Sequence, residues 1–249
     1  MHTRENNEEH SQGVTLMTGG SVRRQIVRFA LPVFWGNLFQ QLYNIVDSLV
    51  VGNFLGSDAL AAVGSSGHII FLLVGLFSGL FTGASVVISG YFGAQEHQKM
   101  HAAIHTTVAF GLLAGVVLSV VGVAVSPTLL RWIGTPDSVF ANSALYFRIY
   151  FSGVVFVTLY NTATGILQAV GDSRHPLYYL IISSVTNVVL DLLFVAVFHM
   201  GVDGAALATV ISQAVSAVLG FIRLIRSDAI YRVEPKKPRL NGSTLEKAL

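Results

Sequence analysis

Residues Ala102 to Ser126 read AAIHTTVAFGLLAGVVLSVVGVAVS, a run of 25 residues without a single Asp, Glu, Lys or Arg. Because an α-helix rises about 1.5 Å per residue, about 20 apolar residues cross a hydrocarbon layer about 30 Å thick. This stretch is therefore long enough and apolar enough to span a membrane as a helix.

Five further stretches meet the same requirement on either side of this one. They run from about Ile26 to Asn53, His68 to Phe92, Val139 to Ala169, Pro176 to Phe198 and Asp203 to Ile225. Short links rich in Gly, Asp, Ser and Pro separate them, such as Gly52–Gly67 and Gly171–His175. The sequence thus predicts an all-α, polytopic membrane protein whose six transmembrane helices occupy residues 21–226.

The composition excludes an ordinary soluble domain. Hydrophobic residues make up 53% of the 249, charged residues only 11%, and the mean hydropathy is +0.64. Soluble domains carry about 25% charged residues because their surface faces water. The absence of cysteine excludes disulfides and thiolate metal sites. No metalloprotease, Walker A or nucleophile-elbow motif supports a membrane enzyme, and we expect no cofactor.

The distribution of positive charge predicts the orientation. Of the 15 Lys and Arg residues, thirteen fall on the side of the N-terminus, Arg131 lies alone on the opposite side, and Arg148 lies within a span. Because Lys and Arg accumulate in cytoplasmic loops, both termini are predicted to be cytoplasmic. The basic residues reflect this topology and contact with anionic membrane lipid, and we expect no nucleic-acid partner.

The two ends of the chain are predicted to lie outside the membrane. Residues 1–20 are polar and have no apolar core followed by a small-residue cleavage site, so we do not expect a cleaved signal peptide. Residues 227–249 are predicted to form a cytoplasmic linker. In it, Ser243 and Glu246 have the spacing of a helix capping box, yet the chain ends at Leu249. This capping box marks the start of a helix, but too few residues follow it to form one. We therefore predict that more chain follows in the intact protein.

Four of the predicted spans carry a polar stripe. On the first, polar residues recur every three or four positions, which places them on one helix face. The stripes comprise Asn37, Gln40, Gln41, Asn44, Asp47 and Ser48 on the first span, Tyr160, Asn161, Thr164 and Gln168 on the fourth, Ser183, Ser184, Asn187 and Asp191 on the fifth, and Thr209, Ser212, Gln213 and Ser216 on the sixth. Polar groups in hydrocarbon are costly unless satisfied, so these faces are predicted to meet around a polar cavity. For the Ser and Thr residues, interhelical hydrogen bonding is the competing interpretation.

Three of these residues share a depth. Asp47 lies six residues before Asn53, Asp191 seven before Phe198, and Thr209 six after Asp203, which is about 9–10 Å below the outer boundary in each case. Asn187 lies one turn deeper on the Asp191 face. An ionised Asp in mid-membrane costs about 2.5–3.5 kcal/mol, so packing alone explains the pair poorly. The four side chains are predicted to bind a proton or a small hard cation such as Na⁺.

Two backbone features complete the prediction. Pro32 removes an amide donor and can act as a hinge in the helix that carries Asp47. Gly75, Gly79 and Gly83 form a small-xxx-small pattern, which is typical of close helix packing.

The order and spacing of several motifs resemble the MATE (multidrug and toxic compound extrusion) family of transporters. The sequence DSLVVGNFLG from Asp47 to Gly56, continued by Ala59 to Gly64, resembles the first family signature. A second group of matches comprises LQAVGDSRHP from Leu167 to Pro176, NVVLD from Asn187 to Asp191 and GVDGAALAT from Gly201 to Thr209. The match extends from about Met17 to Arg226.

The resemblance implies both an architecture and an activity. Family members have two six-helix lobes and exchange H⁺ or Na⁺ for bulky, often cationic organic compounds across the cell membrane. This chain would supply the N-terminal lobe and lack its partner, the second six-helix lobe. Asp47 would be the acidic residue of the first helix, with Asn187, Asp191 and Thr209 as its polar partners. Pro32 would be the proline that bends this helix. Independently of the resemblance, the polar stripes predict that Gln40, Asn44 and Asn161 line the cavity.

Other functions remain open at this stage. A lipid-linked saccharide flippase of the same superfamily would favour a strongly cationic cavity, whereas Arg148 alone is basic within a span. A non-transporting membrane subunit is a third interpretation, in which the six spans would serve assembly or regulation.

Overall fold

The computed structural model describes residues 22–226, with the backbone alone at positions 22, 65, 66, 68, 69 and 73. The expected polar N-terminus at residues 1–20 lies outside the described residues. The expected linker at 227–249 also lies outside them, and its capping box with it.

The described part of the chain is built from helices alone. The elements are α1 (Val22–Gly93), α2 (His97–Trp132), α3 (Asp137–Ser152), α4 (Val154–Ala169), α5 (Arg174–Asp191), a π-helical segment (Leu192–Val197) and α6 (Val202–Arg226). By length and composition, five helical segments within residues 22–226 can each cross a membrane, and a bent helix pair makes a sixth. The prediction of an all-α polytopic membrane protein is confirmed.

Helix α1 contains the first two spans, Arg23–Gly64 and Ile70–Gly93. Its helical torsions fail only at Gly56, where φ is +85° and ψ is −176°. That left-handed φ is one that glycine adopts without a Cβ penalty. The helix folds back at this point, which brings Leu60 against Gly52. A Cβ built on Gly52 would lie only 3.4 Å from Leu60 Cδ2. The expected irregular link at Gly52–Gly67 is therefore helical, with one sharp break.

The fourth span is bent rather than straight. Helices α3 and α4 meet at an angle of 45° around Gly153. Val210 of α6 occupies the space beside Gly153, with its Cγ2 at 2.5 Å from where a Cβ would be. Ser119 Oγ of α2 accepts a hydrogen bond from the amide of Val155 at 3.2 Å. The bend thus lets α3 and α4 follow α6, and α2 satisfies a backbone donor beside the bend.

Glycines of α2 bring that helix against the bent span. A Cβ on Gly115 would collide with the Thr158 side chain and lie 2.9 Å from the backbone Cα of Val155. By contrast, no described atom lies within 4 Å of a Cβ built on Gly75 or Gly79. The close packing predicted from the glycine pattern is therefore not found at these two positions among the described residues of this chain.

Two apolar clusters lie at opposite ends of the bundle. The outer cluster includes Val50, Val51, Val195, Val202 and Ala205, together with the ring of Tyr146. The inner cluster includes Ile88, Met100, Ile104, Ile166, Leu167 and Leu224. Val50 lies about one turn outward of Asp47, and Val195 about one turn outward of Asp191. The outer cluster therefore separates the two acidic residues from the outer end of the bundle.

Candidate carboxylate site

Helices α1 and α5 pack side by side and bring Asp47 and Asp191 together. A Cβ on Gly36 would lie 3.6 Å from Leu180 Cδ2 and 3.8 Å from Leu177 Cδ1. Both helices run outward, so eleven residues further along α1 reaches the level of residues 188–191 on α5. The carboxyl groups of Asp47 and Asp191 are close enough there to influence each other electrostatically.

The site holds buried polar atoms without hydrogen-bonding partners. Asp191 is 0% exposed and Asn187 is 1% exposed. Among the described residues, no partner reaches Oδ1 of Asp47, either carboxylate oxygen of Asp191, or the amide oxygen and nitrogen of Asn187. Because buried polar groups are nearly always hydrogen-bonded, this concentration of unsatisfied oxygen atoms marks a place suited to a bound cation or proton.

Thr209 lies on α6, which packs antiparallel to α5. Ser183 Oγ donates to the carbonyl of Ser212 at 2.7 Å, which fixes the register of the antiparallel pair α5 and α6. Counting outward from that bond places Thr209 level with Asn187, about one turn inward of Asp191. Its hydroxyl donates to the carbonyl of Ala205 at 3.1 Å. The oxygen lone pairs of Thr209 consequently remain able to accept.

Tyr43 is a site residue that sequence reasoning missed. It lies one turn inward of Asp47 on the same helix face and interacts with the side chains of Gln40 and Gln213. It is also within electrostatic range of both acidic residues. Tyr146 of α3 packs in the outer apolar cluster with Val50, one turn outward of Asp47, and is within electrostatic range of that acid. The available signal was the spacing of four residues between Tyr43 and Asp47, but the stripe predicted on the first span comprised amides, an acid and a serine and left this phenol out.

The expected cavity residues occupy different places. Gln40 belongs to the site through Tyr43. Asn44 is exposed, and its amide donates to Gln41 Oε1 at 3.3 Å. Asn161 instead links two spans, since Ser78 Oγ donates to Asn161 Oδ1 at 3.5 Å. The polar face of α1 is thus divided between a part that faces the carboxyl pair and a part that faces away from the lobe.

Asp191 ends the regular part of its helix. The next six residues, Leu192–Val197, form a π-helix, and Phe198 donates its amide to the carbonyl of Leu193 at 2.9 Å. π-Helical turns are rare and occur frequently at functional sites. The change of helical period aims Val195 into the outer apolar cluster while Asp191 faces α1.

Two other residues considered in the sequence, Pro32 and Arg148, lie outside the carboxylate site. The torsions of α1 stay helical through Pro32, so the one break of that helix is at Gly56. Arg148 is exposed, on the side of α3 away from Tyr146. Tyr146 packs in one cluster with Val202 and Ala205 at the outer start of α6. Arg148, two residues further inward, can therefore extend its guanidinium to the outer boundary.

The chemistry of the site suits a small hard ion. Two carboxyl groups, an amide oxygen and a hydroxyl oxygen are the ligand types that hard cations prefer, and one shared proton would relieve the repulsion of the carboxyl pair. Within residues 22–226, no group of three or more His, Cys, Asp and Glu side chains is arranged to hold a metal ion.

Comparison with known proteins relates the fold and the site to one family. The MatE family model matches residues 32–193, which include Asp47, Asn187 and Asp191. The chain is 32% identical over 228 residues to the probable multidrug resistance protein YpnP of Bacillus subtilis (strain 168), covering 92% of this chain and 51% of that protein. It is 39% identical over 196 residues to the probable multidrug resistance protein YoeA of the same strain, covering 77% of this chain and 42% of that protein.

A solved structure agrees with these relatives. The crystal structure of MATE in the bent conformation superposes with a TM-score of 0.88 at 26% identity, covering 95% of this chain and 53% of that chain. The chain therefore spans about half the length of the proteins that it matches. The resemblance found in the sequence motifs is confirmed, and the chain belongs to the MatE family.

Proposed function

We propose that this chain acts as the N-terminal lobe of an antiporter that exports small, often cationic organic compounds in exchange for H⁺ or Na⁺. The family is one of transporters rather than enzymes, which agrees with the absence of catalytic motifs from the sequence. The observation that carries the proposal is the pairing of two acidic residues from separate spans, the half-buried Asp47 and the completely buried Asp191, with unsatisfied polar atoms at both.

Ion binding at this pair would drive transport by alternating access. A second six-helix lobe would pack against this one, and the two would rock about a central cavity. The ion changes the conformational equilibrium only if it binds one state more tightly than the other. Helix α1 is suited to this coupling because it carries Asp47 and Tyr43 on one face, and Asn44 and other polar side chains on its exposed face.

The rival flippase function is less well supported. A carrier of lipid-linked saccharides would favour a strongly cationic cavity, whereas the intramembrane basic residue Arg148 lies on the face of α3 opposite Tyr146, near the outer boundary. The described groups that meet inside the lobe are acidic or neutral. A subunit without transport activity would have no need for two carboxyl groups from separate spans side by side in the bundle.

We place the chain in the cell membrane with both termini in the cytoplasm. This orientation rests on the distribution of Lys and Arg and puts the inner apolar cluster at the cytoplasmic end. The basic residues at the helix ends would then meet anionic lipid headgroups, the membrane partner expected from the sequence.

This orientation can be tested by cysteine labelling, since the chain contains no cysteine. Asp58→Cys and Asp137→Cys should react with an impermeant thiol reagent added to intact cells. Lys99→Cys and Arg174→Cys should react only after the membrane is permeabilised. All four side chains are exposed, so failure to react reports the side of the membrane rather than burial. Labelling of position 99 or 174 from outside would show that the orientation is wrong.

The need for a second lobe can be tested by drug resistance. In cells that lack their own extrusion pumps, residues 1–249 alone should confer no resistance, because a central cavity requires two lobes. Co-expression with a second six-helix lobe should confer resistance. Resistance from residues 1–249 alone would instead favour a self-sufficient homodimer, which crosslinking would detect.

A further inference from the structure

The second span packs unequally along its length against the rest of the lobe. Its inner half is held by Phe81, whose side chain is 3% exposed. A Cβ on Gly165 of α4 would lie 3.3 Å from the Phe81 carbonyl oxygen, and one on Gly111 of α2 would lie 3.3 Å from the Phe81 ring. Ser78 adds its hydrogen bond to Asn161 of α4. The inner half of this span is therefore fixed against both neighbouring helices.

The outer half of the same span lies beside an apolar cavity of about 20 Å³. The second span lines this cavity with Ile70, Val74 and Phe77, and the bent fourth span lines it with Phe151 and Val154, among others. Because apolar cavities of this kind stay dry, no water competes for the space. The cavity has room for a small side-chain group but is too small for a transported substrate.

The wall of the cavity formed by the bent span is held from behind. The ring of Phe151 fills the space that a Cβ on Gly122 of α2 would take. On the side of α6, Val210 lies against Gly153, with its Cγ2 at 2.5 Å from where a Cβ would be. Close-packed side chains of this kind leave little room for displacement. A movement that closes the cavity must therefore come from the second span.

The outer half of the second span is also open on its other side. Phe71 is 81% exposed and Leu72 is 67% exposed. No described atom lies within 4 Å of a Cβ built on Gly75. A helix that is fixed at Phe81 and bordered by a cavity further out can pivot at that residue. Ile70 lies about 16 Å from Phe81 along the helix axis, so a small rotation moves its side chain into the cavity.

The outer end of this half is joined to the carboxyl site. The first two spans belong to one helix that breaks only at Gly56, so the second span directly follows the span that carries Asp47. Ile70 packs against the outer cluster, which contains Val50 about one turn outward of Asp47. The position of Ile70 therefore depends on how the outer end of the first span is held.

We propose that residues 70–77 form a movable arm, which swings about Phe81 into the cavity when an ion binds between Asp47 and Asp191. The inference rests on the proposed function and identifies the part of this lobe that responds to the ion. A bound ion offsets the repulsion between the two carboxyl groups, so α1 and α5 can approach each other. The outer cluster then passes the shift of the first span to Ile70, and the arm closes on the bent span.

The test uses a disulfide to capture the closed arm. Val74→Cys and Val154→Cys are introduced together in this cysteine-free chain, and all 249 residues are reconstituted in lipid vesicles. A disulfide requires the two Cβ atoms to approach within about 4.5 Å, so its rate of formation under a membrane-permeant copper oxidant reports closure. Na⁺, or acid pH without Na⁺, should raise this rate by at least about fivefold, the lower end of typical coupling between two sites.

The ion response is assigned to the carboxyl pair by Asp191→Asn, which should remove the increase. Tyr43 and Tyr146 also lie within electrostatic range of the pair, but a phenol keeps its proton at acid and at mildly alkaline pH. Thermal unfolding of the wild-type chain under the same conditions reports ion binding independently of the arm, because a ligand of the folded state raises the unfolding temperature.

Matched variants separate movement of the arm from other effects. Ser78→Cys with Asn161→Cys joins the same two helices in the fixed half, where the side chains already meet. Because thiol reactivity changes with pH, each rate is divided by the rate of this reference pair. Val157→Ile adds a methyl group at the cavity and should reduce the ratio by a similar factor. Val120→Ile, at a position that is 67% exposed, should leave the ratio unchanged.

The outcomes distinguish the inference from the function on which it rests. A ratio that does not respond to ions, or that Val157→Ile leaves unchanged, would overturn the movable arm. If the unfolding temperature of the wild-type chain still rises with Na⁺ or acid and that of Asp191→Asn does not, the proposed function stands and the inference alone fails. If neither the ratio nor the unfolding temperature responds, the carboxyl pair binds no ion, and the proposed function fails as well.

Discussion

Asp191→Asn and Asp47→Asn should each abolish ion-driven efflux when the chain is paired with a second lobe. Asparagine keeps the size of the side chain and removes the group that binds a proton or Na⁺. Because Asp191 is completely buried and Asp47 is its acidic neighbour, each variant leaves the site with a single one of its two carboxyl groups. Efflux driven by an imposed H⁺ or Na⁺ gradient should fall to the background of cells without the transporter.

Membrane insertion, thermal stability and the milder Thr209→Ala variant provide the controls for these two substitutions. Both Asn variants should insert in the membrane and melt close to the wild type, since neither leaves an unpaired charge. Thr209→Ala should be milder, because it removes one neutral oxygen worth about 1 kcal/mol. Wild-type efflux in both Asp variants would mean that the carboxyl pair only holds the bundle together.

The largest effect on stability is expected from Gly115→Ala. The new methyl group would collide with the Thr158 side chain and lie 2.9 Å from the Cα of Val155. Because a backbone atom cannot rotate away, α2 and α4 must separate. Overpacking of this kind typically costs about 1–3 kcal/mol, so the variant should unfold at a lower temperature in detergent.

A second glycine gives a matched comparison within the membrane. Gly79 has no described atom within 4 Å of its would-be Cβ, and alanine is the better helix former by up to about 1 kcal/mol. Gly79→Ala should therefore be neutral or slightly stabilising in this chain. Equal destabilisation by both alanines would contradict the packing of α2 against the bent span.

Much of the fold could be predicted because the membrane imposes simple rules. A segment such as Ala102 to Ser126 must form a helix, since lipid offers its backbone no hydrogen-bonding partner. The breaks were harder to predict. Gly56 and Gly153 both lie in runs that contain other glycines, and local sequence does not distinguish a glycine in a bend from one in a straight helix.

The candidate site was predicted in part, because its residues differ in the free energy that it costs to place them in hydrocarbon. An acidic residue in hydrocarbon is expensive enough to be conspicuous, so Asp47 and Asp191 could be selected from composition and depth alone. Tyr43 and Tyr146 carry no such penalty, since a phenol is partly apolar and common in ordinary cores. Their place beside the acids depends on neighbouring helices.

The sequence by itself determined that the chain is helical, how many times it crosses the membrane, and which two acidic residues lie at one depth. These properties follow from the length, polarity and period of single segments. The tertiary structure alone decided that Asp47 and Asp191 come together, and that Asn44 faces away while Gln40 faces the site. It also decided that α2 packs through Gly115, whereas the second span does not pack through Gly79. Such outcomes depend on how helices rotate about their own axes when they pack, and that rotation is fixed jointly by side chains distant in sequence.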